Sequence, residues 1–272
     1  LNLNISHQFS TNKRNSFSQM NFRQHRQSFY GLPSAIEDDY ILSNFDPIQR
    51  LTYFSITSDW KWHDRIVKGL SLDSYYTADS YSTRENEILF KSKFQLDLGS
   101  IHLNAIPKIS ILSTTFNEDF YTRLENEFFS GIAGVSIYSS KEKGRFKFRL
   151  GIQSYFITGD NYAEKNLYFF PDIMITFKPE NTNFAPFLNL NGEFYQNSFR
   201  ALSHINPYVA PAIRLRSSFS PYKIELGTRS SLSKGWELQW NLFYSSEENR
   251  PMFRNFGKSF NINNIIAYRF GN

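Results

Sequence analysis

Apolar and polar residues alternate along this chain with a period of two. In 144–157, Phe146, Phe148, Leu150 and Ile152 take one parity, and Arg145, Lys147, Arg149 and Gln153 take the other. Successive side chains of a β-strand point to opposite faces, so this segment is a strand with one apolar and one basic face. A helix would mix the two sets around its circumference. The pattern recurs in 88–98, where Ile88, Phe90, Phe94, Leu96 and Leu98 oppose Lys91, Lys93, Gln95 and Asp97. In 101–111, Ile101, Leu103, Ala105, Ile109 and Ile111 oppose His102, Asn104, Lys108 and Ser110. Further alternating runs cover 169–177, 184–194, 222–229, 236–244 and 260–270.

Such segments number roughly 12 to 14, each about 9–12 residues long, which is longer than the usual globular strand and close to what a tilted strand needs to cross a bilayer. Tight turns are predicted near Gly99-Ser100, 140–144, 179–183 and 231–235. Longer polar connections are predicted near 31–48, 78–86, 158–166, 196–210 and 245–258. Short turns at one rim and long loops at the other are expected of an outer-membrane barrel. No stretch reads as a domain linker, a low-complexity tract, a long repeat or a capped amphipathic helix, so 1–272 is predicted to be a single domain.

A soluble sandwich alternates too, with its polar face in water. Strand length and number favour the membrane, as do aromatics at strand ends (Tyr75-Tyr76, Tyr168-Phe169-Phe170, Tyr195, Tyr244, Tyr268). The crowding of Arg145, Lys147 and Arg149 on one face calls for a water-filled interior with acids from other strands; Glu125, Glu193, Glu225 and Glu237 are the candidates. The expected fold is therefore an all-β, antiparallel transmembrane barrel of roughly 12–14 strands, or part of a larger one.

Composition agrees. Phe, Tyr and Trp make up 18% of the 272 residues, yet mean hydropathy is −0.46. There is no run of about 18–20 apolar residues that could form a membrane helix. The absence of cysteine excludes disulfides and thiolate metal sites. A net charge of +5, from 30 basic and 25 acidic residues, is not a nucleic-acid profile. Leu1 to Phe9 alternates and lacks the features of a signal peptide, so the chain reads as a mature or partial sequence.

Two stretches carry a family resemblance. Asn263, Tyr268 and Phe270 fall at the offsets of the terminal strand motif that the barrel-assembly machinery reads in bacterial outer-membrane proteins. Ile265 stands where glycine is usual, and Gly271-Asn272 extend past the usual aromatic end. Over about 167–256, Phe169-Phe170-Pro171, Leu190-Asn191-Gly192-Glu193, Asn197 to Ser203 and Asn206-Pro207-Tyr208 resemble outer-membrane barrels of the Bacteroidetes, which are similar to the barrels of TonB-dependent receptors. Tyr244, Pro251, Phe253 and Asn255 continue the likeness. The resemblance implies an outer-membrane location in a Gram-negative bacterium, contact with lipid and lipopolysaccharide, and handling by the assembly machinery. Such receptors are longer and carry a plug and a TonB-contacting segment. Neither is read here, so a partial or reduced barrel is expected.

Chemistry-bearing motifs are sparse. No two of His7, His25, His63, His102 and His204 have the spacing of a helical zinc pair. His63-Asp64 reads as a solvated turn and His102 as a hydrogen-bonded residue of the polar face. There is no G-x-S-x-G elbow, no phosphate loop and no calcium-loop spacing around Asp38-Asp39 or Glu247-Glu248. Neither a catalytic residue nor a cofactor or metal is expected. The one constellation singled out is a lumen-lining basic face of Lys91, Lys93, Lys108, Arg145, Lys147, Arg149, Lys223 and Arg229. It would favour anions in an open pore, or be salt-bridged in a plugged one. The expected function is a non-enzymatic, porin- or transporter-like barrel, or the barrel subunit of an envelope complex with a protein partner. The alternatives are a barrel enzyme on lipid or peptide, and a plugged structural barrel.

Overall fold

A computed structural model of the chain describes residues 1–28, 48–63, 65–99, 101–116, 126–160, 166–180, 184–207, 216–233, 236–254 and 267–270. Twelve strands form one sheet in strict sequence order. They are β1 (Asn2–Ser10), β2 (Arg14–Ser28), β3 (Ile48–Trp62), β4 (Val67–Asp79), β5 (Arg84–Leu98), β6 (Ile101–Phe116), β7 (Asn126–Lys143), β8 (Phe146–Gly159), β9 (Leu167–Phe177), β10 (Phe184–Tyr195), β11 (Ser218–Ser233) and β12 (Trp236–Glu248). Every neighbouring pair is antiparallel. A separate ladder joins β13 (Pro251–Arg254) to β14 (Ala267–Phe270). Among the described residues there is one helix, α1 (Phe199–Ile205), between β10 and β11.

The all-β antiparallel fold and the strand number agree with the sequence expectation. The meander puts the strand ends that flank 11–13, 63–66, 99–100, 144–145, 178–183 and 234–235 at one rim. The strand ends that flank 29–47, 80–83, 117–125, 160–166 and 196–217 lie at the other. Gly144, at φ 59, takes the left-handed backbone that lets β7 turn into β8. The stretch 78–86 is shorter as a connection than expected, because the strands run on to Asp79 and resume at Arg84. Asp79 fastens this turn by accepting the backbone N–H groups of Tyr81 (3.0 Å) and Thr83 (2.8 Å).

Register assigns every strand residue to a face. Across β5 to β9 the opposed residues Glu87, Leu112 and Ser130 share one face, as do Lys147 with Thr176 and Arg149 with Met174. Helix α1 packs on this face, called inner below. The other face carries the apolar parity. Leu3, Ile56, Leu72, Ile88, Ile109, Leu150, Leu188, Leu226 and Leu242 all stand exposed on it. On β8 its apolar residues run from Phe146 to Phe156. Ten residues at about 3.3 Å each, tilted by about 40°, give a band about 25 Å tall, the height of an outer-membrane barrel's apolar belt.

The buried apolar residues lie on the inner face, contrary to a simple polar-inside expectation. Leu51, Leu112, Phe116 and Phe128 cluster with Phe199 and Leu202 of α1. Ile132, Ile157, Phe170 and Phe194 form a second cluster, joined by Tyr155, Tyr168 and Phe219. Here the tyrosines of the predicted girdle divide. Tyr76 is exposed on the outer face, whereas Tyr75 points inward under Arg200, and Tyr168 joins the inner cluster.

Candidate functional site: a helix docked on the inner face

Helix α1 is seven residues long. An isolated helix of two turns is not stable in water, so its helicity depends on what it docks against. Ser198 caps it, with extended backbone (φ −126, ψ 153) and a hydroxyl that accepts the N–H of Ala201 at 3.1 Å. The first turn contains no acidic residue of its own. The missing carboxylate comes from Glu85 on β5. It accepts the backbone N–H of Phe199 at 2.7 Å and of Arg200 at 2.8 Å, and the Thr114 hydroxyl at 2.8 Å. Free N–H groups and the helix dipole both favour a negative charge there.

The next inner-face residue of β5, Glu87, accepts from Arg200 through Nε at 3.2 Å and Nη2 at 2.6 Å. The same guanidinium lies 3.9 Å above the Tyr75 ring. Phe199 packs edge-on to Phe116, with centroids 5.9 Å apart. The Tyr53 ring lies 4.5 Å from that of His204, tilted by 31°, and its hydroxyl is 3.2 Å from that of Ser203.

Both ends of the segment are tied down. Before the helix, Gln196 donates to the Ser130 hydroxyl at 2.7 Å and accepts from Ser110. Asn197 donates to the Arg216 carbonyl at 2.5 Å and to the Ser218 hydroxyl at 2.7 Å. After it, the Pro207 carbonyl accepts from Gln27 at 2.5 Å, and Gln27 also donates to Gln49 at 2.6 Å.

Apart from Arg216 and Ser218 at the start of β11, these partners span β2 to β7, whereas the segment leaves from β10. Along the wall, β10 and β3 are about 34 Å apart at about 4.8 Å per strand. Seven helical residues cover only about 10 Å. The sheet is therefore curled, and the segment crosses its hollow side as a chord.

The eight predicted basic residues lie on this inner parity, or at its rim in the case of Arg145. Lys91 stands directly opposite Lys108 across the β5–β6 ladder. Both lie away from α1, Lys91 about 13 Å further down β5 than Glu87 at about 3.3 Å per residue. The β8 triplet is neutralised locally. Arg145 pairs with Glu180 (2.9 Å), Lys147 with Glu142 (3.5 Å) and Arg149 with Asp172 (2.6 Å). Arg149 also lies 4.0 Å over the Tyr138 ring. The acids expected there from sequence, Glu193, Glu225 and Glu237, are not the partners, and Glu125 lies outside the described residues. Pairing follows register: Asp172 stands beside Arg149 because β9 is the neighbour of β8. Lys223 sits 5.6 Å from the Phe243 ring, and Arg229 donates to Gln239 at 3.4 Å. The structure thus brings Lys91, Lys93 and Lys108 together on neighbouring strands and places Lys223 and Arg229 apart on β11.

His102 contacts its cross-strand partner Asp97 at 2.6 Å, with both side chains exposed. Among the described residues no group of three or more His, Asp or Glu is placed to hold a metal. Asn263 of the terminal motif and the pair Asp38-Asp39 lie outside the described residues. Tyr268 and Phe270 pair with Phe253 and Pro251 in the β13–β14 ladder. Sequence reasoning missed α1 altogether. Its available signal was Ser198, a good N-cap, followed by the apolar pair Phe199 and Leu202.

No protein-family model matches the chain, and no curated protein does. Solved structures do. The FrpB iron transporter of Neisseria meningitidis (F5-1 variant) aligns with a TM-score of 0.63 and 12% identity, over 92% of this chain and 45% of that one. The siderophore receptor PirA of Pseudomonas aeruginosa gives 0.58 and 11%, over 100% and 48%. The alcaligin outer-membrane receptor FauA of Bordetella pertussis gives 0.54 and 11%, over 99% and 47%. The chain thus spans about half the length of the solved structures it matches, and at these identities the likeness is one of fold: the twelve-stranded sheet is similar to the outer-membrane barrels of TonB-dependent receptors.

Proposed function

We propose that this chain forms part of the wall of a bacterial outer-membrane β-barrel that passes or receives solutes, and that it is not an enzyme. The observation that carries this reading is the uncovered outer face. From Leu3 on β1 to Leu242 on β12 it presents large apolar side chains with no protein against them. A soluble protein rarely exposes a contiguous apolar patch of more than a few hundred Å², whereas in a bilayer the same face is solvated by lipid. The fold shared with an iron transporter and two siderophore receptors supports a transporter-like role, and the resemblance over 167–256 supports an origin in the Bacteroidetes.

Closure follows from the same physics. Among the described residues β1 pairs only with β2, and β12 only with β11. Lipid offers no hydrogen bonds to an open edge, so further strands pair with both in the assembled barrel. Lipid, lipopolysaccharide and the barrel-assembly machinery are the partners this reading requires, and an envelope protein is a further one. Lys91, Lys93 and Lys108 are the part of the basic face best able to act on anions, since β8 carries its own acids. The plugged, structural reading is favoured by one observation, the chord that α1 makes across the hollow side.

Planar-bilayer recording of the full-length protein tests the proposal. Conductance with an anion preference that falls on Lys91/Lys93/Lys108→Ala supports it, with a smaller fall for Arg145/Lys147/Arg149→Ala. Recovery of the protein in the soluble fraction, or as an outer-membrane protein without conductance or solute uptake, overturns the location or the passage respectively.

A further inference from the structure

We infer that α1 is a detachable latch, held against the inner face by Glu85 and Glu87 and able to swing out on the stem formed by Gln196 and Asn197. The inference rests on the proposed passage for its consequence but not for its geometry. Three features of the contact set α1 apart from the wall. Its apolar anchorage is confined to Phe199 and Leu202, with Tyr53 against the helix surface. The rest of its hold is polar: two backbone hydrogen bonds to Glu85, the Arg200 fork on Glu87, and the bond from Gln27 to the Pro207 carbonyl. On undocking, both carboxylates and the guanidinium pass into the water of the hollow, so no charge is left buried without a partner. The helix itself loses its N-terminal carboxylate and melts, because two turns do not persist alone. Docked and released are therefore two discrete states of one segment, and not two positions of a rigid rod.

The stem has the opposite character. Gln196 is held by Ser110 and Ser130, and Asn197 by Arg216 and Ser218, none of which α1 contributes. These bonds survive release. Since β1 to β12 hydrogen-bond to one another without any residue of α1, the wall does not need the helix. Below the latch on β5 come Leu89, Lys91 and Lys93 in order, with both lysines already exposed while α1 is docked, so release clears the path between the long-connection rim and these lysines and does not change their own exposure.

These 272 residues contain no cysteine, so with any cysteine elsewhere in the full-length protein replaced by serine, a single Ser203→Cys is a clean reporter; Ser203 is 3% exposed when α1 is docked. In the full-length protein in outer-membrane vesicles, a membrane-impermeant maleimide is expected to label this cysteine at least about tenfold faster when Glu85→Gln or Arg200→Glu is added, the scale set by losing charge-assisted hydrogen bonds. The swap Arg200→Glu with Glu87→Arg is expected to restore protection. Heat-modifiable gel migration reports the wall and is expected to stay unchanged. Unchanged labelling in both variants overturns the latch, as does a swap that fails to protect. Loss of heat-modifiable migration in the same variants overturns it too, since α1 would then be part of the wall. Faster labelling with no rise in conductance leaves the latch standing and overturns the passage reading instead.

Discussion

The Glu85 carboxylate on β5 accepts the backbone N–H of Phe199 at 2.7 Å, across 114 positions of sequence. One wall residue thereby supplies the charge that α1 lacks in its own first turn. Replacing it with alanine is expected to weaken docking by about 1.5–3 kcal/mol. Hydrogen exchange of the Phe199, Arg200 and Leu202 amides measures this directly. Protection as strong as in the unaltered protein would show that Glu85 does not hold the helix.

The apolar side of the same contact is Phe199, fully buried among Leu51, Leu112, Phe116 and Phe128. Phe199→Ala is expected to cost about 3–5 kcal/mol of docking free energy, more than the Glu85 change. Because the strands pair without it, strand amides of β4 to β9 are expected to keep their protection while α1 loses its own.

Leu150 distinguishes lipid from water. It is 58% exposed on the outer face near the middle of the β8 band. In a bilayer Leu150→Arg is expected to destabilise the barrel by about 2–4 kcal/mol. On a soluble protein an exposed change of this kind stays within about 0.5 kcal/mol. Denaturant unfolding of the full-length protein in lipid vesicles reads the difference, and the smaller value would count against the membrane.

Arg149 and Asp172 form the most closely held pair of the basic face, at 2.6 Å, with the Asp172 side chain 5% exposed. Arg149→Ala leaves that carboxylate buried beside Ser136 alone, which lies 3.4 Å away. A cost of about 2 kcal/mol is expected, reduced from the fully buried case because the arginine is partly in water. The double variant Arg149→Ala/Asp172→Asn is expected to recover much of the loss, so equal stabilities of the single and double variants would contradict the pairing.

His204 makes docking depend on pH. Its burial, and then the charges of Arg200 and Arg23, push the imidazole below its ordinary value. The docked state thus favours the neutral ring. Its contribution is complete above the ordinary imidazole range and declines as pH falls below it. Titration of the ring by NMR is expected to give a midpoint below that of a free histidine, and His204→Gln to flatten the pH dependence of Leu202 exchange. A midpoint at or above the free value would contradict the environment described.

Much of the wall was legible in the sequence because its cause is local. Phe146, Phe148, Leu150 and Ile152 alternate with Lys147 and Arg149 whatever the rest of the chain does, and strand geometry turns that alternation into two faces. The strand number, the single antiparallel sheet and the outward apolar face follow from it. The inner apolar clusters were not legible. Leu112, Ile132 and Ile157 interrupt the polar parity, and only contact with α1 or with Phe170 and Phe194 explains them.

What the sequence determined by itself is the wall: which residues face which way, and that the aromatic richness belongs largely to a surface instead of a core. What only the tertiary structure decided is the content of the hollow. Asp172, Glu142 and Glu180 neutralise β8 because of which strands are neighbours. Glu85 and Glu87 find α1 because a curled sheet brings β5 across from the connection after β10. Alternation is a property of consecutive residues and survives in the sequence, whereas pairing across a hollow depends on curvature, which no short window of residues contains.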